Sequence, residues 1–124
     1  MERLKTRSAY RAAASGRRIS KPGFVLQALK TGNDERGSPR FGFTVTKKIG
    51  NAVVRNRIRR RLKEAVRLAG VEKGEPDTDY VLIGRRAALS LDFDRLVADL
   101  LTGMASVSKR DDPQQKRPRT PGDG

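Results

Sequence analysis

The sequence predicts a small α+β domain whose elements follow the order helix, strand, strand, helix, strand, helix. Runs of apolar or alternating residues, which are typical of strands, are interleaved with segments whose apolar residues recur every three or four positions, as in helices. The chain has 124 residues, which is enough for one domain with its own buried core.

The first half of the chain supplies one helix and two strands. Residues 4–14 are rich in alanine and suit a helix, which Gly16 would end. The apolar run at 24–29 and the alternating run at 40–46 each predict a strand. Because residues 31–39 are polar and contain turn-forming residues, we expect the two strands to form a hairpin.

The second half predicts a short buried strand at 80–83, where four apolar residues follow one another, and a closing helix. Ser90 or Asp92 is a candidate N-cap of this helix. Its core stripe, at helical spacing, consists of Phe93, Leu96, Val97, Leu100 and Leu101. Residues 106–124 are rich in Pro, Gln and charge, so we expect a domain at 1–105 followed by a disordered basic tail.

The segment from residue 47 to residue 67 is the most unusual part of the sequence. It contains nine Lys or Arg residues and one acid, so it carries +8 of the chain's net charge of +14. Its apolar residues keep helical spacing, and Asn51 suits the N-cap position. The apolar stripe consists of Val54, Ile58, Leu62, Ala65, Val66 and Ala69. The pattern predicts an amphipathic helix with Arg55 and Arg61 at the margins of its buried side.

The outward side of this helix is expected to bind a polyanion, most simply RNA. Its residues are Asn56, Arg59, Arg60, Lys63 and Arg67. Lys47 and Lys48 precede the helix N-terminus, where backbone N–H groups also favour phosphate. A merely solvated helix face is the alternative, but such a face usually mixes charges. Here Glu64 is the only acid, expected to pair with Arg60 or Arg61, and the remaining repulsion would be relieved by phosphate.

Composition excludes several classes of chemistry. The chain has no Cys and no His, which rules out disulfides, zinc sites of the Cys/His kind and histidine acid–base catalysis. Its acids are scattered, and those near the last strand and helix are explained by capping and solvation, so neither catalytic residues nor metal ligands are expected on this chain. The sequence has neither a long apolar run nor a signal-type segment, so a cytoplasmic protein without a membrane partner is expected.

Residues 41–60 resemble the signature of the bacterial ribonuclease P protein subunit, including the Arg-Asn-Arg core formed by Arg55, Asn56 and Arg57. The resemblance extends to the strands at 24–26 and 79–83 and to the start of the last helix, and it covers roughly residues 4–104. It implies an α+β two-layer sandwich of order αβββαβα, with three helices around a four-stranded sheet. The additional strand would lie near residues 18–19, and an unusual left-handed βαβ crossover would pass through the Arg-Asn-Arg helix.

The same resemblance implies a function. The chain would be the protein subunit of an endoribonuclease in which a catalytic RNA removes the 5′ leader of precursor tRNA. Mg²⁺ would be held mainly by the RNA, and no protein partner would be required. The RNA-subunit contacts would be Lys47, Lys48, Asn51, Arg55, Asn56, Arg57, Arg59, Arg60, Lys63 and Arg67. The leader would be held between the first helix and the sheet by Tyr10, Arg11, Thr44 and Thr46.

The predicted leader cleft departs from the family pattern. Where the family commonly has further aromatics for base stacking, this chain has Ala14 and Gln27, so the leader should be held mainly by charge and hydrogen bonds. Tyr10 is equally compatible with a core position. Phe41 and Phe43 are expected in the core or at the cleft floor, depending on strand register.

Two other classes remain open from the residues alone. A basic protein that only scaffolds RNA, such as many ribosomal proteins, would share the charge and the size but lack the Arg-Asn-Arg signature. A DNA-binding protein would place an Arg-rich helix in the major groove, but it usually needs a dimer or a second docking helix. Substrate preference distinguishes these classes from a subunit of one folded RNA.

Overall fold

The computed structural model describes residues 2–31 and 38–109, and its centre is a mixed sheet. The strands are β1 (Glu2–Arg3), β2 (Arg17–Ser20), β3 (Phe24–Lys30), β4 (Arg40–Thr44) and β5 (Thr78–Gly84). They lie in the order β1-β4-β5-β3-β2. The pairs β1–β4 and β4–β5 are parallel, and the pairs β5–β3 and β3–β2 are antiparallel.

Three main helices pack on this sheet. The α-helices are α1 (Arg7–Ala14), α2 (Ala52–Ala65), the single turn α3 (Val71–Lys73) and α4 (Phe93–Lys109). A π-helical turn at Val66–Gly70 joins α2 to α3, and 3₁₀ turns at Lys47–Ile49 and Arg86–Leu89 precede α2 and α4. The predicted α+β class, with three helices and a four-stranded mixed sheet formed by β2 to β5, is therefore confirmed. The two-residue strand β1 is an addition at the edge.

The predicted hairpin between β3 and β4 is wrong, because β5 lies between them. Leu82 of β5 is paired with Leu26 on one side and with Phe43 on the other. Insertion between two partners suits the continuous apolar run of β5 better than an edge position would. Strand β3 instead forms a hairpin with β2, the additional strand that the family resemblance implied. The handedness of the β4–α2–β5 crossover stays a prediction.

The two faces of the sheet carry cores of different size. Alternate side chains of β3, β4 and β5 meet α2 and α4 in the larger core. Its largest buried members are Phe24, Leu26, Phe41, Tyr80, Leu82, Ile58, Leu62, Leu96 and Leu100. Phe41 stacks on Tyr80 with ring centroids 5.2 Å apart, and Phe43 packs against the same core. The strand register thus places both phenylalanines on the α2 face and away from the α1 face.

Helix α1 covers the opposite face with a smaller cluster, in which Leu4, Ala13 and Val81 are buried. The helix begins at Arg7, later than predicted, because the Thr6 side chain caps it by accepting from the N–H of Ala9 (3.1 Å). Leu4 instead continues β1, and its N–H donates to the carbonyl of Phe41 (2.9 Å). A two-residue strand has no periodicity by which sequence reasoning finds it.

Helix α4 runs past residue 105, the predicted end of the domain, and the position of the domain boundary stays a prediction. Helix α4 continues to Lys109, and Val107 is only 2% exposed within the larger core. The apolar spacing of the helix continues through Met104 to Val107, so burial offsets the ordering of the last turn. The remainder of the predicted disordered tail, residues 110–124, lies outside the described residues.

Candidate nucleic-acid interface

Helix α2 has a buried apolar side and an outward basic side, as predicted. Ile58, Leu62, Ala65 and Val66 are buried in the larger core. The Asn51 side-chain oxygen accepts from the N–H of Val54 (3.0 Å), which confirms the N-cap. The same cap fixes where the first turn of the helix begins.

Lys47 and Lys48 are exposed in the 3₁₀ turn just before α2, near the positive end of the helix. Arg86 also reaches this end, where it donates to the carbonyl of Ile49 (2.5 Å). Sequence reasoning missed Arg86, because only the chain reversal after β5 brings it beside α2. The N-terminal end of α2 is therefore surrounded by cations from two separate segments.

The two arginines at the margins of the apolar stripe are held by backbone carbonyls. Arg55 donates through Nε to the carbonyl of Gly50 (3.1 Å). Arg61 donates to the carbonyls of Ala88 (2.7 Å), Leu89 (3.1 Å) and Leu91 (2.7 Å). Arg61 thereby ties α2 to the turn that precedes α4. Arg61 therefore has a structural role, although it lies within the basic segment.

A row of outward residues on α2, here called the phosphate stripe, lines an open hollow of about 300 Å³. The stripe consists of Asn56, Arg59, Arg60 and Lys63. Within it, Arg59 donates to the side-chain oxygen of Asn56 (2.8 Å), so an amide positions the guanidinium, which has no carboxylate partner within residues 2–31 and 38–109. The amide does not neutralise the positive charge of Arg59.

Strand β1 brings a further cation, Arg3, close to the phosphate stripe. Burial lowers the pKa of Lys63, and the nearby charges of Arg3 and Arg59 lower it further. A lowered lysine pKa means that the protonated form is disfavoured in the free protein. A phosphate bound here would reverse that effect. The sequence did not predict that Arg3 lies near α2, because this position depends on the pairing of β1 with β4.

The only acid of the basic segment is paired with Arg67, and the predicted pairing with Arg60 or Arg61 is wrong. Arg67 donates two hydrogen bonds to Glu64, from Nε to Oε1 (3.1 Å) and from Nη2 to Oε2 (2.5 Å). This contact lowers the pKa of Glu64 and raises the pKa of Arg67. Arg61 is already held by carbonyls, which removes it as a partner.

Several cations have no partner within residues 2–31 and 38–109. Lys47, Lys48, Arg57 and Arg60 are exposed and form no hydrogen bond or ion pair there. Unpaired like charges on one surface raise the free energy of the unbound protein, and this cost is recovered only when a polyanion binds. The geometry thus suits a ligand with several phosphates.

The residues predicted to hold the leader lie around the α1 face. The Tyr10 ring lies on Gly42 of β4, where a Cβ atom would approach the ring to 2.7 Å. Thr44 follows two residues along the same strand and shares this face, and it is half-buried. Tyr10 is half-buried as well, so it belongs to the small cluster and also presents part of its ring to solvent.

The other predicted members of the cleft are more dispersed. Arg11 is exposed in the last turn of α1, and Thr46 lies beyond β4, at the start of the 3₁₀ turn that leads to α2. Gln27 is buried on the α1 face of β3, and Ala14 is exposed at the end of α1. Neither position supplies an aromatic surface. The structure brings Tyr10 and Thr44 to one face, whereas Thr46 lies beyond the end of β4.

Two further findings concern metals and membranes. Within residues 2–31 and 38–109, no group of three or more acids is close enough together to hold a metal ion. In the same part of the chain, no helix combines the length and the apolar character needed to cross a membrane.

Comparisons with known proteins agree with this architecture. The family model described as Ribonuclease P matches residues 1–108. The ribonuclease P protein component of Gluconacetobacter diazotrophicus is 54% identical over 101 residues, which cover 79% of this chain and 84% of that protein. The corresponding protein of Erythrobacter litoralis is 40% identical over 117 residues, which cover 94% of both chains.

Solved structures show the same fold. The RNase P protein from Thermotoga maritima matches with a TM-score of 0.70 at 25% identity, covering 86% of this chain and 97% of that one. The RNase P protein of Staphylococcus aureus matches with a TM-score of 0.66 at 24% identity, covering 90% and 96%. The matches favour the ribonuclease P resemblance over the scaffold and DNA-binding alternatives.

The carbonyl contacts of Arg61 predict that it stabilises the fold, unlike its neighbour Arg60. Arg61→Gln should lower the free energy of unfolding by about 2–3 kcal/mol, because it removes charge-assisted hydrogen bonds to the turn before α4. Arg60→Gln removes the same charge from an exposed site and should change stability by less than about 0.5 kcal/mol. Urea denaturation of both variants measures the difference. Equal midpoints would contradict the structural role of Arg61.

Proposed function

The chain belongs to the ribonuclease P protein family, and we propose that its α2 face binds the catalytic RNA subunit while its α1 face holds the 5′ leader of precursor tRNA. Membership in the family makes it the protein component of an endoribonuclease complex with an RNA subunit, with a role in processing tRNA 5′ ends. The proposal concerns how this chain serves that role, and it places the chain in the cytoplasm with precursor tRNA.

The phosphate stripe carries the proposal. The Asn56 amide holds Arg59, and the charges of Arg3 and Arg59 lower the pKa of Lys63. The single acid of the basic segment is paired with Arg67. A surface that lacks carboxylate partners gains most from a ligand that brings several phosphates at once, and folded RNA is such a ligand. The cations at the N-terminal end of α2 extend this surface toward Thr46.

The α1 face is proposed for the leader because it differs from the α2 surface. It offers the half-buried ring of Tyr10, the hydroxyl of Thr44 and the exposed guanidinium of Arg11. One aromatic ring with polar neighbours suits an extended single strand held by a single stacked base. With Ala14 and Gln27 adding no ring, hydrogen bonds and charge supply the rest.

We further propose that the chemistry of cleavage belongs to the RNA subunit, with Mg²⁺ held mainly there. The described residues contain no carboxylate cluster of the kind that binds a catalytic metal pair, and the chain has no His for proton transfer. The protein would contribute by neutralising phosphates. This lets the RNA fold and bind substrate with less divalent cation. No other protein partner is needed for that role.

Cleavage of a 5′-extended precursor tRNA by the cognate catalytic RNA, with and without this protein, tests the proposal. At low Mg²⁺ the protein should be required for cutting at the mature 5′ end, whereas at high Mg²⁺ the RNA alone should cut. If the RNA is active at high Mg²⁺ and the protein gives no stimulation at low Mg²⁺, the proposed role is wrong.

The double substitution Arg59→Gln with Lys63→Gln should weaken binding of the catalytic RNA. Loss of two phosphate contacts lowers the slope of log affinity against log salt by roughly 1.4–1.8. Lys73→Gln, on the exposed turn α3, removes a cation outside the phosphate stripe and serves as the control. Filter binding over a salt series measures both slopes. An unchanged slope in the double variant would rule out the phosphate stripe as a contact.

Tyr10→Ala should act on the leader and leave binding of the catalytic RNA unchanged. Loss of one stacked base costs roughly 1–3 kcal/mol of affinity for leader-bearing substrate. Tyr10→Phe keeps the ring and should retain most of that affinity. The measurement is the ratio of holoenzyme affinities for precursor tRNA with and without a leader, in which any general loss of stability cancels. A ratio that Tyr10→Ala leaves intact would contradict the assignment.

A further inference from the structure

A second hollow, of about 490 Å³, lies next to the phosphate stripe on α2, beside the start of α4. It is called here the α2–α4 hollow, and it is lined by Arg57, Arg60, Arg61, Glu64 and Phe93. The two hollows share Arg60 but differ in chemistry. The phosphate stripe offers an amide and cations, whereas this hollow adds an aromatic ring and a carboxylate.

Phe93 gives the α2–α4 hollow an apolar surface. The ring is half-buried, because one part packs against the larger core while another part lines the hollow. A ring that is open to solvent beside several arginines is the arrangement on which unstacked bases of RNA settle. Phe93 is the first residue of the 17-residue helix α4 and packs against the larger core.

Three arginines complete the walls in different ways. Arg61 donates to the carbonyls of the turn before α4, and these hydrogen bonds fix its position at the edge of the hollow. Arg57 and Arg60 are exposed and unpaired within the described residues, so their guanidinium groups are available to phosphates on either side of a bound nucleotide. The hollow therefore offers both a stacking surface and phosphate contacts.

Glu64 decides which base the hollow suits. A carboxylate on a surface that faces RNA is repelled by phosphates. It therefore contributes to RNA affinity only where it accepts hydrogen bonds from donors of the RNA. Arg67 orients Glu64 and lowers its pKa, which keeps it ionised. Each of its oxygens retains a lone pair beyond the bond to Arg67. Among the four bases, guanine presents two adjacent donors, N1–H and the N2 amino group, to one carboxylate.

We propose that the α2–α4 hollow binds one unstacked guanine of single-stranded RNA. The base stacks on Phe93, its Watson–Crick edge donates to Glu64, and its flanking phosphates meet Arg57 and Arg60. This inference rests on the proposed function, because it makes α2 a surface that reads one base in addition to binding phosphates. It assigns a role to the one acid in the basic segment.

Short oligonucleotides test the guanine preference directly. The full chain is titrated at low salt with five-nucleotide uridine oligomers that carry one central guanine, adenine or inosine. Guanine should bind roughly tenfold or more tightly than adenine, with inosine between them, because inosine lacks the N2 amino group. Glu64→Gln should abolish the difference between guanine and adenine. Glu72→Gln, an equal charge change on the exposed turn α3, should preserve it.

Binding of the catalytic RNA tests the role of the ring. Phe93→Leu should weaken it by about 5- to 150-fold, the range for loss of one stacked base. Phe43→Leu removes a ring from the same core outside the hollow and should leave the affinity unchanged. Urea midpoints for both variants show that the comparison is made between folded proteins, and Glu64→Gln reports on the same hollow from an exposed position.

The outcomes separate this inference from the proposed function. Equal binding of guanine and adenine oligomers by the parent, or a guanine preference that survives Glu64→Gln, overturns the inference even where the catalytic RNA still binds. Unchanged affinity of Phe93→Leu for the catalytic RNA also overturns it. Failure of the parent protein to bind the catalytic RNA at all overturns the proposed function instead.

Discussion

The close seating of α2 on the sheet is the constraint on which the rest of the structure depends. At Gly84, the last residue of β5, an added Cβ atom would lie 2.7 Å from Cγ2 of Ile58 and 3.0 Å from Cγ2 of Val45. Only glycine allows this approach. Because Ile58 and Leu62 are fully buried there, rotation of α2 about its axis would expose them, and the opposite side must face solvent. The direction of the cations follows from the packing of the apolar stripe, and Arg61 reinforces it through the turn before α4.

This packing supports an electrostatic arrangement that is unfavourable in the free protein. Like charges crowd along α2, and burial together with Arg3 and Arg59 lowers the pKa of Lys63. Because the folded pKa lies below the unfolded one, protonated Lys63 weighs against folding at every pH below its folded value, and this penalty fades as the pH rises toward the unfolded value. Phosphates would remove the same penalty by stabilising the charged form. Hydrophobic burial on one side of the helix therefore maintains a charge pattern that a bound polyanion would neutralise.

Local features of the sequence were predictable, and features set by distant contacts were not. The apolar stripe of α2 and the Asn51 cap follow from residues a few positions apart, so periodicity was enough to find them. The insertion of β5 between β3 and β4 was missed, because a polar loop after a strand does not reveal which strand becomes its neighbour. Arg3, Arg86 and the carbonyl partners of Arg61 were not predicted for the same reason. Tertiary structure brings all of them to α2. Glu64 had several cations within one helical turn, and spacing alone could not select Arg67.

The two proposed surfaces lie on opposite faces of the sheet, yet the chain joins them by a short path. Thr44 ends β4 on the α1 face, Thr46 begins the next turn, and Lys47 and Lys48 lead directly to the N-terminal end of α2. A strand that leaves Tyr10 along β4 would therefore arrive at the positive end of α2, where Arg86 adds a further charge. On the proposed arrangement, the leader and the catalytic RNA would meet at this end of the molecule. The order of β4 and α2 along the chain, with only seven residues between them, would then place one polyanion beside the other without any moving part.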